Sequence, residues 1–136
     1  MAASVYDQVP LDRNKEEIRL LVIEFGEMAD PLACTLQKAS FADGKPSFAA
    51  ISYVWGDAKD VVPVVINGDE RRITRSLANI LRQLRAPPGR VAPDGRMRIW
   101  ADGICINQSD DVEKSHQVGL MGKIYSECEM TLVFLG

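Results

Sequence analysis

Arg98-Ile99-Trp100-Ala101-Asp102-Gly103-Ile104-Cys105-Ile106-Asn107-Gln108 is the stretch whose reading decides the fold. A short apolar run delivers an aspartate, a glycine, a cysteine and an Asn-Gln pair onto a tight turn, and a helical pattern follows at once. Residues 97–101 read as a strand. The helix behind the turn begins at Asp110, whose carboxylate can cap it, while Glu113, three residues on, reaches back as in a capping box. Val118, Met121, Ile124, Tyr125 and Cys128 then form the apolar stripe expected to pack on a sheet. Residues 130–135 are a last apolar strand.

Upstream, residues 18–24 and 32–39 are two strand candidates, divided by Gly26 and Asp30-Pro31 and able to pair as a hairpin. Residues 48–55 are apolar on both faces, as a central strand covered by helices requires. Residues 61–66 and 70–73 flank Asn67-Gly68, the dipeptide that suits a type I′ turn, and are expected to form an exposed two-stranded ribbon. Thr74 can cap a helix with Leu77, Ile80, Leu81 and Leu84 on one face. Arg75, Arg82 and Arg85 fall off that stripe, on a face expected to be solvated. Residues 86–95, with three prolines and two glycines, make a surface loop.

Strand, helix, strand, helix, strand in the second half argues for parallel pairing with helices on the sheet faces. Ligands in such folds bind beyond the carboxyl ends of the strands. Residues 53–57 and 102–108 both belong to that edge.

Length and charge narrow the classes. A chain of 136 residues is one domain's worth and should bury roughly 65 to 70% of its unfolded surface. Its 16 basic and 19 acidic residues include no basic cluster that would track phosphates, so nucleic acid is not an expected partner. No apolar run approaches the ~20 residues of a membrane span, the first fifteen residues do not form a signal peptide, and a cytoplasmic protein is expected. Cys34, Cys105 and Cys128 show no C-x-x-C spacing and His116 is the lone histidine, so neither a disulfide framework nor a metal site is indicated.

Each candidate residue has two readings. Asp102 can orient a ribose hydroxyl or polarise a reacting group, or it can cap the turn. Asn107 and Gln108 can hydrogen-bond a ligand or stabilise the turn. Cys105 with His116 as base is the nucleophile reading, and a cysteine flanked by Ile104 and Ile106 is more often an inert buried residue. Glu113 can act as a general acid or base, or as a cap. Trp55 and Trp100 can stack on a base or serve as core aromatics. Gly56 matters as a backbone position. No G-x-G-x-x-G or G-x-x-x-x-G-K-[ST] string is present.

Ile51-Ser52-Tyr53-Val54-Trp55-Gly56-Asp57, Ile73-Thr74, Ser76-Leu77, residues 100–108, Glu113, Gln117-Val118, Met121, Ile124-Tyr125 and Leu135-Gly136 occur in an ordered series. That series resembles the heterokaryon incompatibility (HET) domain of filamentous fungi. The resemblance covers roughly residues 47–136, and Arg19-Leu20-Leu21 and Leu32-Ala33-Cys34 are similar to the usual lead-in. Gly103 stands where alanine is commoner, and Glu127-Cys128-Glu129 where the helix usually ends in alanine. The family domain runs on past Gly136, so truncation at that end is expected.

The resemblance implies non-self recognition between fused fungal cells ending in regulated cell death, through self-association or partner contacts. It also implies a distant likeness to TIR domains, some of which cleave NAD. In that comparison Ser52-Tyr53 ends the first TIR strand, Trp100-Ala101-Asp102 the second and residues 132–135 the third. The TIR glutamate would then lie beyond Gly136.

The expectation is therefore a lead-in over residues 1–17 and a single α/β domain over 18–136. It has a TIR-like or flavodoxin-like, mostly parallel sheet flanked by helices, an added N-terminal strand pair and a β-hairpin insertion. Asp102 and Glu113 are the candidate catalytic residues. Ser52, Tyr53, Trp55, Gly56, Asp57, Trp100, Cys105, Asn107 and Gln108 are the candidate ligand-binding residues. No cofactor is expected, and NAD is the alternative substrate, with the essential carboxylate either Glu113 or beyond residue 136.

Overall fold

The computed structural model describes residues 5–12, 14–24, 31–44, 46–54, 56–85 and 97–134. Trp55 and the loop expected over residues 86–95 lie outside them. The elements are α1 (Val5–Gln8), β1 (Glu17–Ile23), β2 (Ala33–Ser40), β3 (Ala49–Tyr53), β4 (Val61–Ile66), β5 (Asp69–Thr74), α2 (Arg75–Arg85), β6 (Met97–Trp100), α3 (Asp102–Cys105), α4 (Asp111–Glu127) and β7 (Met130–Phe134). The strands form one sheet in the order β5-β4-β2-β1-β6-β3-β7.

β1 is the middle of this sheet and is buried at all seven positions. Ile18, Leu21, Val22 and Ile23 are almost wholly withdrawn from water, and each such side chain contributes about 1.5 to 3 kcal/mol. The expected central strand, β3, instead lies next to the edge, with Ser52 exposed and Tyr53 half-buried. β1 holds the centre although its sequence includes Arg19, because that charge finds a partner inside the fold.

β1 and β2 pair antiparallel, Glu17 opposite Ser40 and Ile23 opposite Cys34, as the expected hairpin requires. The Asn67-Gly68 turn also forms, with φ of 53° and 83° and Ile66 opposite Asp69. Its two strands do not stand off as an exposed ribbon. β4 joins β2 in parallel, Cys34 opposite Ile66, and the Asn67 side chain accepts a 2.9 Å bond from the Leu36 N–H. The hairpin is therefore one end of the sheet, and the sheet is mixed rather than mostly parallel. β1–β2, β1–β6 and β4–β5 are antiparallel, whereas β2–β4, β6–β3 and β3–β7 are parallel.

Thr74 caps α2 by accepting from the Leu77 N–H at 3.3 Å, and Leu77, Ile80, Leu81 and Leu84 are buried. Arg85 departs from the expected solvated face. It is buried, and its guanidinium donates to the Pro31 carbonyl at 3.0 Å.

The turn expected after residue 101 winds into the single helical turn α3, closed by Cys105 N–H to the Ala101 carbonyl at 2.8 Å. Asp110 then caps α4, its carboxylate accepting from the Val112 and Glu113 N–H groups at 3.1 Å. The inward line of α4 differs from the expected stripe. Val118 is exposed, while Glu113, Gln117 and Ile124 are buried, with Met121, Tyr125 and Cys128 partly so. Two polar side chains lead that line because each finds a partner in the interior, although the Gln117 Oε1 has no hydrogen-bond partner. Gln117 donates to the Glu17 carbonyl at 2.8 Å, and Glu113 pairs with Arg19.

Candidate functional site

β6 and β3 run parallel, with Ala50 opposite Trp100, so both release their chains at one edge of the sheet. β3 delivers Tyr53 there and β6 delivers Asp102, the first residue of α3. Burial, and next the Asp102 charge, push the Tyr53 hydroxyl well above its ordinary pKa, although the Gly103 N–H partly offsets them. Tyr125 of α4 is shifted upward by the same two causes in the same order. Its hydroxyl donates to the Ile51 carbonyl at 3.3 Å. The half-buried Asp102 carboxylate thus lies near two protonated phenols, an arrangement able to hold a polar group.

The loop after α3 folds back on itself. Gln108 donates its amide N–H to the Asp102 carbonyl at 2.8 Å, and the Asn107 side chain accepts from the Ser109 N–H at 3.1 Å. Both residues are half-buried, and both amides serve the turn.

Glu113 does not reach back to the Asp110 N–H as a capping box would require. Its carboxylate takes a fork from Arg19 at 2.7 and 2.8 Å and a third bond, 2.6 Å, from the Asn107 N–H. Arg19 is 1% exposed. Both oxygens of Glu113 are committed to a buried ion pair that anchors the loop.

Cys105 is fully buried, and burial pushes its thiol up to about 12. Its sulfur accepts from the Ala101 N–H at 3.4 Å, and no hydrogen bond joins it to His116, which lines a separate cleft of about 270 Å³ with Leu11, Asp110 and Glu113. A thiol at that value carries negligible thiolate near neutrality. Trp100 is likewise in the core, edge-on to the Tyr125 ring at 5.9 Å, and offers no face to a ligand.

Gly56 and Asp57 line a second cleft, of about 360 Å³, between the ends of β3 and β7 and the first turns of α2. Asp57 forms a turn by accepting from the Lys59 N–H at 2.9 Å. Gly56 has φ of 73°, and a Cβ there would come within 3.4 Å of the Ser76 Cβ, so loop and helix approach closely. Ser76 ties the two by donating to the Val54 carbonyl at 2.8 Å. Ser52 is exposed and is not among the residues that line this cleft.

The structure therefore gathers Tyr53 with Asp102 and places Gly56 and Asp57 in a neighbouring cleft. Cys105, Trp100 and Glu113 lie in the interior. Tyr6, Arg19 and the outer face of α2 (Arg75, Asn79, Gln83) did not emerge from the sequence as site residues. The last three are legible as an i, i+4, i+8 polar series, whereas nothing local marks Arg19. Among the described residues no group of three His, Cys, Asp or Glu side chains is placed to hold a metal ion, and no helix is long and apolar enough to cross a membrane.

These features define a mixed α/β domain whose motif loops gather at the carboxyl ends of parallel strands. Residues 48–136 match the family model described as Heterokaryon incompatibility protein (HET), and the chain belongs to that family. Heterokaryon incompatibility protein 6, OR allele, of Neurospora crassa is 36% identical over 140 residues, which cover 96% of this chain and 20% of the relative. The chain thus spans about a fifth of that relative's length. No solved structure matches it.

Proposed function

We propose that this chain is a heterokaryon-incompatibility signalling domain that triggers regulated cell death on non-self recognition. It acts in the cytoplasm through self-association or partner contacts. The observation that carries this reading is the family match across residues 48–136, which includes both loops of the carboxyl-end edge. The chemistry of the edge favours contact over catalysis. Cys105 is an unionised core thiol, both oxygens of Glu113 are taken, and the groups open to solvent are Ser52, Val54, Gly56 and Asp57.

A TIR-like descent of the sheet is part of the proposal. β6, β3 and β7 lie side by side and all parallel, which is the second-first-third order that begins a flavodoxin-like sheet.

Induced expression in a filamentous fungus tests the reading. Wild-type chain is expected to be toxic, and Asp57→Ala and Asp102→Ala, shown folded by circular dichroism, to be harmless. Full toxicity in both variants refutes the assignment of this edge as the working surface. Nicotinamide release from NAD by the purified chain, lost in Asp102→Ala, would replace it with the hydrolase reading.

A further inference from the structure

Two of the groups that hold the 102–108 loop in place, Tyr6 and Arg19, lie outside the family-matched stretch, which begins at residue 48. Arg19 of β1 donates in three directions. Its Nε bonds the Val9 carbonyl at 2.8 Å, its Nη1 the Cys105 carbonyl at 3.3 Å, and both terminal nitrogens the Glu113 carboxylate. Glu113 in turn accepts from the Asn107 N–H. Across this hub lies Tyr6, its ring 4.9 Å from the Arg19 Cζ and 5.3 Å from the Arg71 Cζ. The Tyr6 hydroxyl donates to the Ile104 carbonyl at 2.8 Å.

We infer that Arg19 is the positioning residue of the 102–108 loop and that residues 5–11 form a strap that latches it. One planar guanidinium serves strap and loop together, and its donors are fixed relative to one another, so a shift at Val9 is felt at Cys105 and, through Glu113, at Asn107. The strap is the part able to leave. α1 has four residues and no helical stability of its own, and it is held by Val5 in the core, the Tyr6 contacts and the Val9 bond. When it leaves, the Ile104 carbonyl loses its donor and the guanidinium loses one acceptor and one aromatic face. The loop then relaxes around a pair newly open to water. This inference is independent of whether the loop edge signals or catalyses.

Amide hydrogen exchange by NMR on the full chain tests it, with Tyr6→Phe removing the strap-to-loop bond while keeping the ring, and Arg19→Lys keeping the charge without the fork. Tyr6→Phe should speed exchange of the amides between Ile104 and Asn107 by roughly five- to tenfold, one lost hydrogen bond's worth, with β1 amides unchanged. Arg19→Lys should speed both the loop and Val9, whose N–H bonds the Tyr6 carbonyl. Three outcomes of Tyr6→Phe overturn the inference: faster exchange in the strap alone, equal acceleration in loop and β1, or no change in either segment. None of them depends on Arg19→Lys folding.

Discussion

Glu113→Ala isolates the energetics of the buried hub. In the wild type the Arg19 guanidinium, 1% exposed, is neutralised by two bonds of 2.7 and 2.8 Å. Removing the carboxylate leaves a charge that the Val9 and Cys105 carbonyls solvate only in part, and breaking one side of such a pair costs about 3 to 5 kcal/mol. Against a total stability of about 5 to 15 kcal/mol for a domain of this kind, that is a fifth or more. Urea denaturation should show a midpoint lower by about 2 M at unchanged slope. High salt should not reproduce the effect, because a pair this deep is barely screened. Arg19→Met with Glu113→Leu, which removes both charges together, should cost less than the sum of the single changes by about 2 kcal/mol or more, a coupling expected of groups in direct contact. A loss below about 1 kcal/mol in Glu113→Ala would refute the reasoning, since Arg19 would then be finding water or another acceptor.

Three further outcomes follow from local geometry and burial. Asn67→Ala should cost about 1 to 2 kcal/mol by thermal denaturation, because it loses the bond to the Leu36 N–H and places a residue with a β-carbon but no compensating side-chain bond at φ 53°. Cys34 and Cys105 are both pushed up to about 12 by burial, so both stay protonated in the folded chain well past the pH at which they ionise when unfolded. Stability from these thiols is full below about pH 8.5 and declines as pH rises toward 12. Iodoacetamide at pH 8 should label the half-buried Cys128 long before either of them; Cys105 reacting first would contradict its placement.

What the sequence discloses are the features whose physics is local. Asn67-Gly68 announces its hairpin because positive φ is a property of those two residues. Leu77, Ile80, Leu81 and Leu84 announce a buried helix face by spacing alone, and Asp110 announces a cap by lying one residue before a helix. Arg19, Glu113, Gln117 and Arg85 behave otherwise. Each looks like a solvent residue by type, and each is buried because its partner is far away in the chain, as Glu113 is 94 residues from Arg19. That blind spot displaced the α4 stripe onto Val118 and moved the centre of the sheet from β1 to β3. At the site, Tyr53 and Asp102 were legible together because parallel strands share a carboxyl end. The burial of Cys105 agrees with its setting between Ile104 and Ile106, which favours an inert core thiol, and Trp100 as a core aromatic needs no other explanation.

The long separation across the hub also orders the assembly of the molecule. β1 can zip to β2 as soon as a hairpin's length of chain exists, yet its other side waits for β6, whose residues Met97–Trp100 come much later. β3 is in the same position toward β6 and β7. Contacts of such high sequence separation are reached slowly, since the intervening chain must first be constrained. On a ribosome β1 and β3 emerge each lacking a neighbour until the residues of β6 and β7 follow. Nascent chains therefore pass through a stage in which β1 and β3 wait on β6 and β7 for their remaining strand partners.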